Sequence, residues 1–149
     1  MTLPRATSVG SSPDGPDAGE VVLDYAARLI RRKRLVTTSG SAFLVDLAHT
    51  THVEPGEAFI LEDGGPIRVA AAQETLLRVE GDLPRLAWHI GNRHTPCAIF
   101  DDHLLIQHDP VLRDMVEGLG ARVTEVTGPF RPEGGAYGTG RVMGHSHEH

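Results

Sequence analysis

A chain of 149 residues with a formal net charge of -6 has room for one ordinary domain or two small ones, and its acidity argues against a general affinity for nucleic acid or anionic membranes. The single cysteine, Cys97, excludes an intramolecular disulfide. No run approaches the ~20 apolar residues of a membrane span, and the first residues lack the apolar segment of a secretory signal. These features predict a cytoplasmic protein.

The first half of the chain has the pattern of a small all-β domain. Residues 1–19 are rich in Ser, Pro, Gly and Asp and predict a disordered leader. Residues 20–73 contain short apolar runs separated by turns with Gly and Pro, which is typical of strands. Two of these runs predict a hairpin that ends near residue 47. His49 and His52 come next and are expected in a surface loop.

Basic residues concentrate at one place in this acidic chain. Five of the fourteen Lys and Arg residues fall between positions 28 and 34. One interpretation is a docking surface for an acidic partner peptide, carried by Arg31, Arg32 and Arg34. The other is a solvated strand or turn whose charges oppose edge-to-edge pairing of sheets. The sequence leaves both interpretations open.

Residues 74–140 follow a different pattern, in which two helices alternate with strands. The first helix has one apolar face and is expected to end at Gly91 and Asn92. The second helix begins with Asp109 as N-cap and should stop at Gly120. Its apolar positions recur at helical spacing: Val111, Leu112, Met115, Val116 and Leu119. The order β-α-β-β-α-β predicts a ferredoxin-like domain, and the fold class is therefore α+β.

Histidines supply the candidate chemistry. His94 lies just past the first predicted helix, where the residue before Pro96 is pushed out of the helical region. A single histidine is more often a structural residue than a metal ligand. Residues 141–149, however, predict a flexible tail that carries three more imidazoles, from His145, His147 and His149. Since imidazole suits Ni²⁺, Zn²⁺ and Cu²⁺, the pattern indicates a site that captures and releases an ion.

Three motifs in the second half resemble those of the urease accessory protein E family, the nickel metallochaperones of urease maturation. They are GNRHTP at 91–96, the start of the second helix at 108–115, and PFRPEGGAY at 129–137. The resemblance implies a homodimer in which two copies of His94 share one Ni²⁺. It also implies that His108 is a more peripheral ligand.

The resemblance further implies a role in a delivery chain. The ion would pass to the urease apoprotein complex through an accessory GTPase, and the N-terminal domain would contact a partner or peptide. Zn²⁺ or Cu²⁺ would be competing ions. The chain has no phosphate-binding loop and no HExxH motif, so we expect no enzymatic activity. The alternatives are a Zn- or Ni-binding protein without a delivery role, and a ferredoxin-like module that binds protein or RNA.

Overall fold

The structure, a computed structural model, describes residues 2–11 and 19–134. The chain divides into two compact units, of which the first ends at Ala71 and the second covers Ala72–Glu133. This division lies two residues before the boundary expected from the sequence. Among the described helices, none is long and apolar enough to cross a membrane.

The first unit is a six-stranded sheet with one short 3₁₀ helix. Its elements are β1 (Arg5–Ser11), β2 (Gly19–Leu23), the 3₁₀ helix (Ala26–Arg28), β3 (Leu29–Val36), β4 (Ala42–His52), β5 (Glu57–Leu61) and β6 (Pro66–Ala71). The strand order is β2-β6-β5-β1-β4-β3. Alternate residues of β4 enter the core, namely Phe43, Val45 and Leu47, because side chains of a strand point to opposite faces in turn.

The prediction of a disordered leader is wrong for residues 5–11, which form a central strand. β1 pairs in parallel with β4 on one side and antiparallel with β5 on the other. Ala6 on this strand is fully buried. The local composition favours turns, but pairing on both sides satisfies the backbone hydrogen bonds and overrides that preference. Residues 12–18 lie outside the described part of the chain.

The predicted hairpin is present as the antiparallel pair β3 and β4, but β4 continues further than expected. His49 and His52 therefore lie on a strand, and the expectation of a surface loop is wrong. His52 is only 8% exposed, and its ring lies 4.8 Å from the ring of Tyr25. Burial disfavours the charged imidazolium and lowers the pKa of His52, against the opposing effect of the Glu54 carboxylate.

The second unit has the predicted β-α-β-β-α-β order. Its elements are β7 (Gln73–Glu80), α1 (Leu83–Asn92), β8 (Cys97–Ile99), β9 (Leu104–Gln107), α2 (Pro110–Gly118) and β10 (Arg122–Pro129). The strands form an antiparallel sheet in the order β10-β7-β9-β8. Apolar residues of both helices join one core with one face of this sheet. The α+β class, with an all-β first unit and a ferredoxin-like second unit, is confirmed.

The second helix begins as predicted, and only some of its apolar residues are buried. The Asp109 Oδ1 atom accepts hydrogen bonds from the N–H groups of Val111 at 2.8 Å and Leu112 at 3.3 Å, which is the geometry of an N-cap. Leu112 and Val116 are buried, whereas Val111 and Leu119 are exposed. Helical spacing alone therefore does not place Val111 and Leu119 in the core.

Candidate metal centre

The first helix ends at Asn92, as the sequence predicts, but the conformation of the residues after it was not predicted. Gly91 and Asn92 are both helical, and the residue that leaves the helix is His94, with a φ of 58°. The His94 N–H donates to the Gly91 carbonyl at 2.9 Å, and the Thr95 N–H donates to the Ile90 carbonyl at 3.4 Å. This pair of hydrogen bonds is the Schellman motif, in which the left-handed position usually belongs to glycine.

The second helix ends in the same motif, with glycine in the left-handed position. Gly120 has a φ of 93°, and its N–H donates to the Glu117 carbonyl at 2.9 Å. The Ala121 N–H donates to the Val116 carbonyl at 3.0 Å. Placing a residue with a side chain in the left-handed region costs roughly 1 kcal/mol or more. At the end of α1, a histidine occupies the left-handed position despite this cost.

His94 is the only non-glycine residue with positive φ in the part of the chain that the structure describes. Strained backbone positions that persist in a protein cluster at functional sites. His94 is also exposed to solvent, so its ring nitrogens are accessible to an ion. The buried residues Leu86 and Ile90 anchor the other face of α1 in the core, and this packing holds the end of the helix in place.

One copy of the described chain does not supply a complete ligand set. Within residues 2–11 and 19–134, no three His, Cys, Asp or Glu side chains lie close enough together to hold a metal ion. Two or more further donors would have to join His94 from elsewhere. The predicted ligands His145, His147 and His149 lie outside the described residues.

His108 is exposed and lies in the short connection between β9 and α2. Its Nε2 atom lies 3.4 Å from the Glu125 Oε2 atom on β10, and about half of each side chain is exposed. The contact is an ion pair only when the imidazole is protonated. A neutral imidazole beside a carboxylate offers one nitrogen and one oxygen donor, which suits a peripheral site of modest affinity.

Cys97, close in sequence to His94, has the properties of a structural residue. It lies on β8, packs against the core of the second unit and is partly buried. Burial, and to a smaller extent the Glu133 carboxylate, raises the pKa of the Cys97 thiol to about 11. The thiol is therefore protonated at neutral pH, and metal binding requires the thiolate.

The structure divides the basic cluster at positions 28–34 into buried and exposed members. Arg31, Arg32 and Arg34 are exposed on β3. Arg28 instead is buried, and its Nη1 atom donates to the Leu23 carbonyl at 3.0 Å. Arg28 therefore supports the fold of the first unit and is not part of any docking surface.

One residue near this cluster was not predicted from the sequence. Arg5 lies on β1, and its Nη2 atom donates to the Asp46 Oδ2 atom at 2.5 Å. The Arg32 Nη1 atom lies 3.8 Å from the same oxygen. No signal in the sequence relates positions 5, 32 and 46, because only the order of the strands brings them together.

Comparison with known families covers both units. The family model described as "UreE urease accessory protein, N-terminal domain" matches residues 3–72. The model described as "UreE urease accessory protein, C-terminal domain" matches residues 70–149. The junction between the two matches coincides with the division between the two structural units.

Individual relatives agree with these matches. The urease accessory protein UreE of Rhodobacter capsulatus is 60% identical over 130 residues, which are 87% of this chain and 83% of that protein. The urease accessory protein UreE of Ruegeria pomeroyi is 55% identical over 149 residues, which cover 99% of this chain and 100% of that protein. The chain therefore belongs to the UreE urease accessory protein family.

Proposed function

We propose that this protein is a nickel metallochaperone, which binds Ni²⁺ as a homodimer and delivers it for assembly of the urease metallocentre. Membership of the UreE urease accessory protein family supports this role. The structural observation that carries the proposal is His94, an exposed imidazole held in a strained position at the end of α1. We propose it as the central ligand.

A homodimer would remedy the incomplete ligand set of one chain. Two copies of His94 facing each other across a twofold axis provide two imidazole nitrogens and leave other coordination positions open. His145, His147 and His149 would fill these positions from tethered segments at a high effective concentration. Withdrawal of the tail ligands then gives the ion a route to the next protein. His108, beside Glu125, would form a peripheral site.

Exposed apolar side chains in the second unit support an association of this kind. Trp88 lies on α1, the helix that His94 ends, and is 64% exposed. Ile99 and Phe100 at the end of β8 are also exposed. Exposed apolar surface on a globular domain commonly marks a protein interface.

The partners follow from the same role. We propose that the carrier acts with the urease accessory GTPase and the urease apoprotein in the cytoplasm, without enzymatic activity of its own. Zn²⁺ and Cu²⁺ would compete with Ni²⁺ for the imidazoles, because imidazole binds all three ions and binds Cu²⁺ more tightly than Ni²⁺. Geometry and ion supply, rather than affinity, would then select nickel.

The RNA-binding alternative has little support in the second unit. Modules of this topology that bind RNA stack bases on aromatic side chains of the sheet. The strands β7 to β10 contain no aromatic residue. A net charge of -6 also opposes attraction to phosphates. We therefore propose that the protein binds neither nucleic acid nor membranes.

The ligand assignment is tested by calorimetric titration with Ni²⁺, combined with light scattering to measure the mass. We expect the parent dimer to bind one tight ion, His94→Ala to abolish tight binding, and truncation after Arg141 to weaken it. The control is His49→Ala, which removes another exposed imidazole from a different unit. Tight binding by His94→Ala would show that the shared site is wrong.

Delivery requires a separate experiment, because a generic nickel-binding protein would also pass the titration. Urease apoprotein is activated with the purified accessory proteins and limiting Ni²⁺, with and without this protein. We expect the parent and His49→Ala to increase the urease activity, and His94→Ala to fail. Equal activation by the parent and by an equimolar inert nickel chelate would favour a binder without a delivery role.

A further inference from the structure

The sheet of the first unit carries a cluster of arginines on the face opposite its core. Arg5 on β1 and Arg34 on β3 are both register partners of Leu44 on β4, which lies between them. Arg32 is the partner of Asp46. Since the alternate residues of β4 enter the core, the side chains at positions 5, 32 and 34 share the outer face. We call these three arginines the outer patch.

The outer patch has an excess of positive charge that is fixed in position. Arg5 and Arg32 both contact the Asp46 carboxylate, and Arg34 lies two residues from Arg32 on the same face. The three arginines and Asp46 together carry a formal charge of +2, in a chain whose net charge is -6. The Asp46 side chain is 15% exposed, whereas the side chains of Arg5 and Arg32 are 49% and 62% exposed. Asp46 therefore orients the two arginines from below while their outer faces remain open to a ligand.

Protection of a sheet edge does not account for this arrangement. Charged residues on an edge strand prevent pairing with other sheets, and β3 is the last strand of its sheet in the described chain. Arg5, however, lies on β1, which is an interior strand. An arginine there adds nothing to edge protection, but it completes a group of guanidiniums that suits carboxylates.

We infer that the outer patch binds an acidic, extended segment of a protein partner. Arg32 and Arg34 are two residues apart on one strand, which separates them by about 6.6 Å. A segment that runs along β3 in an extended conformation repeats its side chains on one face at the same spacing. The segment should therefore carry a carboxylate at every second residue.

This inference concerns the first unit and does not depend on the metal site. The test uses the full chain and a fluorescein-labelled peptide of eight residues in which Glu and Thr alternate. A second peptide has the same composition with the four Glu residues in one block. Binding is measured by fluorescence anisotropy at low ionic strength, where screening of exposed charges is weak.

Matched variants distinguish binding at the outer patch from general attraction between opposite charges. We expect Arg5→Ser, Arg32→Ser and Arg34→Ser each to weaken binding of the alternating peptide about twofold to fivefold, as for exposed ion pairs. The control is Lys33→Ser on the same strand. Lys33 is the partner of Val45, a core residue, so its side chain lies on the other face. Lys33→Ser should bind as the parent does.

A charge exchange guards against variants that fail through misfolding. The double variant Arg32→Glu/Arg34→Glu should lose the Glu–Thr peptide and bind a peptide in which Lys and Thr alternate, which the parent should not bind. Three results would overturn the inference: equal losses in Lys33→Ser and Arg34→Ser, equal affinity of the parent for the alternating and block peptides, or tighter binding of an oligouridine of equal charge. The last result would identify a nucleic-acid surface.

Discussion

The strained end of α1 allows a test in which loss of the proposed ligand makes the protein more stable. His94 holds the left-handed position of a Schellman motif at a φ of 58°, a conformation that glycine adopts at little cost. The imidazole is exposed, so its removal sacrifices little packing. His94→Gly should therefore increase the free energy of unfolding of the second unit by about 1 kcal/mol. His94→Ala keeps the strain and should leave the stability nearly unchanged.

The expected gain is large enough to measure. For a unit of about 60 residues, 1 kcal/mol corresponds to an increase of about 4–8 °C in the unfolding midpoint. Trp88 is the only tryptophan and lies on α1, so its fluorescence follows the second unit alone. Unfolding is recorded in the presence of a chelator, because a bound ion would stabilise the parent by mass action.

The second helix provides the matched control for this experiment. Gly120 holds the same position of the same motif, and a methyl group added there would meet no heavy atom within 4 Å apart from its neighbours in the chain. Gly120→Ala should therefore decrease the unfolding free energy by about 1 kcal/mol through backbone strain alone. The reasoning is refuted if His94→Gly is no more stable than His94→Ala while Gly120→Ala shows the expected loss.

Three further predictions concern other parts of the structure. Asp109→Ala removes the N-cap of α2 and should destabilise the second unit by about 1 kcal/mol, measured by Trp88 fluorescence, whereas Asp109→Asn should retain most of the stability. Cys97 should react slowly with iodoacetamide at neutral pH because its thiol is protonated, and Cys97→Ser should retain the parent's Ni²⁺ affinity; rapid alkylation would contradict the assignment. The lowered pKa of buried His52 means that the unfolded chain binds the proton more tightly. Stability of the first unit should thus be fully present above pH ~6.5 and fall as the pH decreases below it, by less in His52→Gln when followed by circular dichroism.

Local sequence determined much of the second unit. The apolar spacing of the two helices, the N-cap at Asp109 and the stop at Gly120 are properties of neighbouring residues, and all three are present as predicted. The family resemblance likewise depends on short ordered motifs that the chain carries in sequence. For these features the interactions span a few residues, so a linear pattern contains the information.

Tertiary structure alone decided the features that join distant positions. β1 became a central strand because β4 and β5 supply hydrogen bonds on both sides, which its own composition does not indicate. The separation of buried Arg28 from exposed Arg32, and the meeting of Arg32 with Arg5 at Asp46, follow from strand order and side-chain alternation. At His94 both the local sequence and the folded structure contribute. The sequence places an imidazole near the end of a helix, but its left-handed backbone arises only when the Schellman hydrogen bonds form, because a conformation costing about 1 kcal/mol requires the folded helix to hold it.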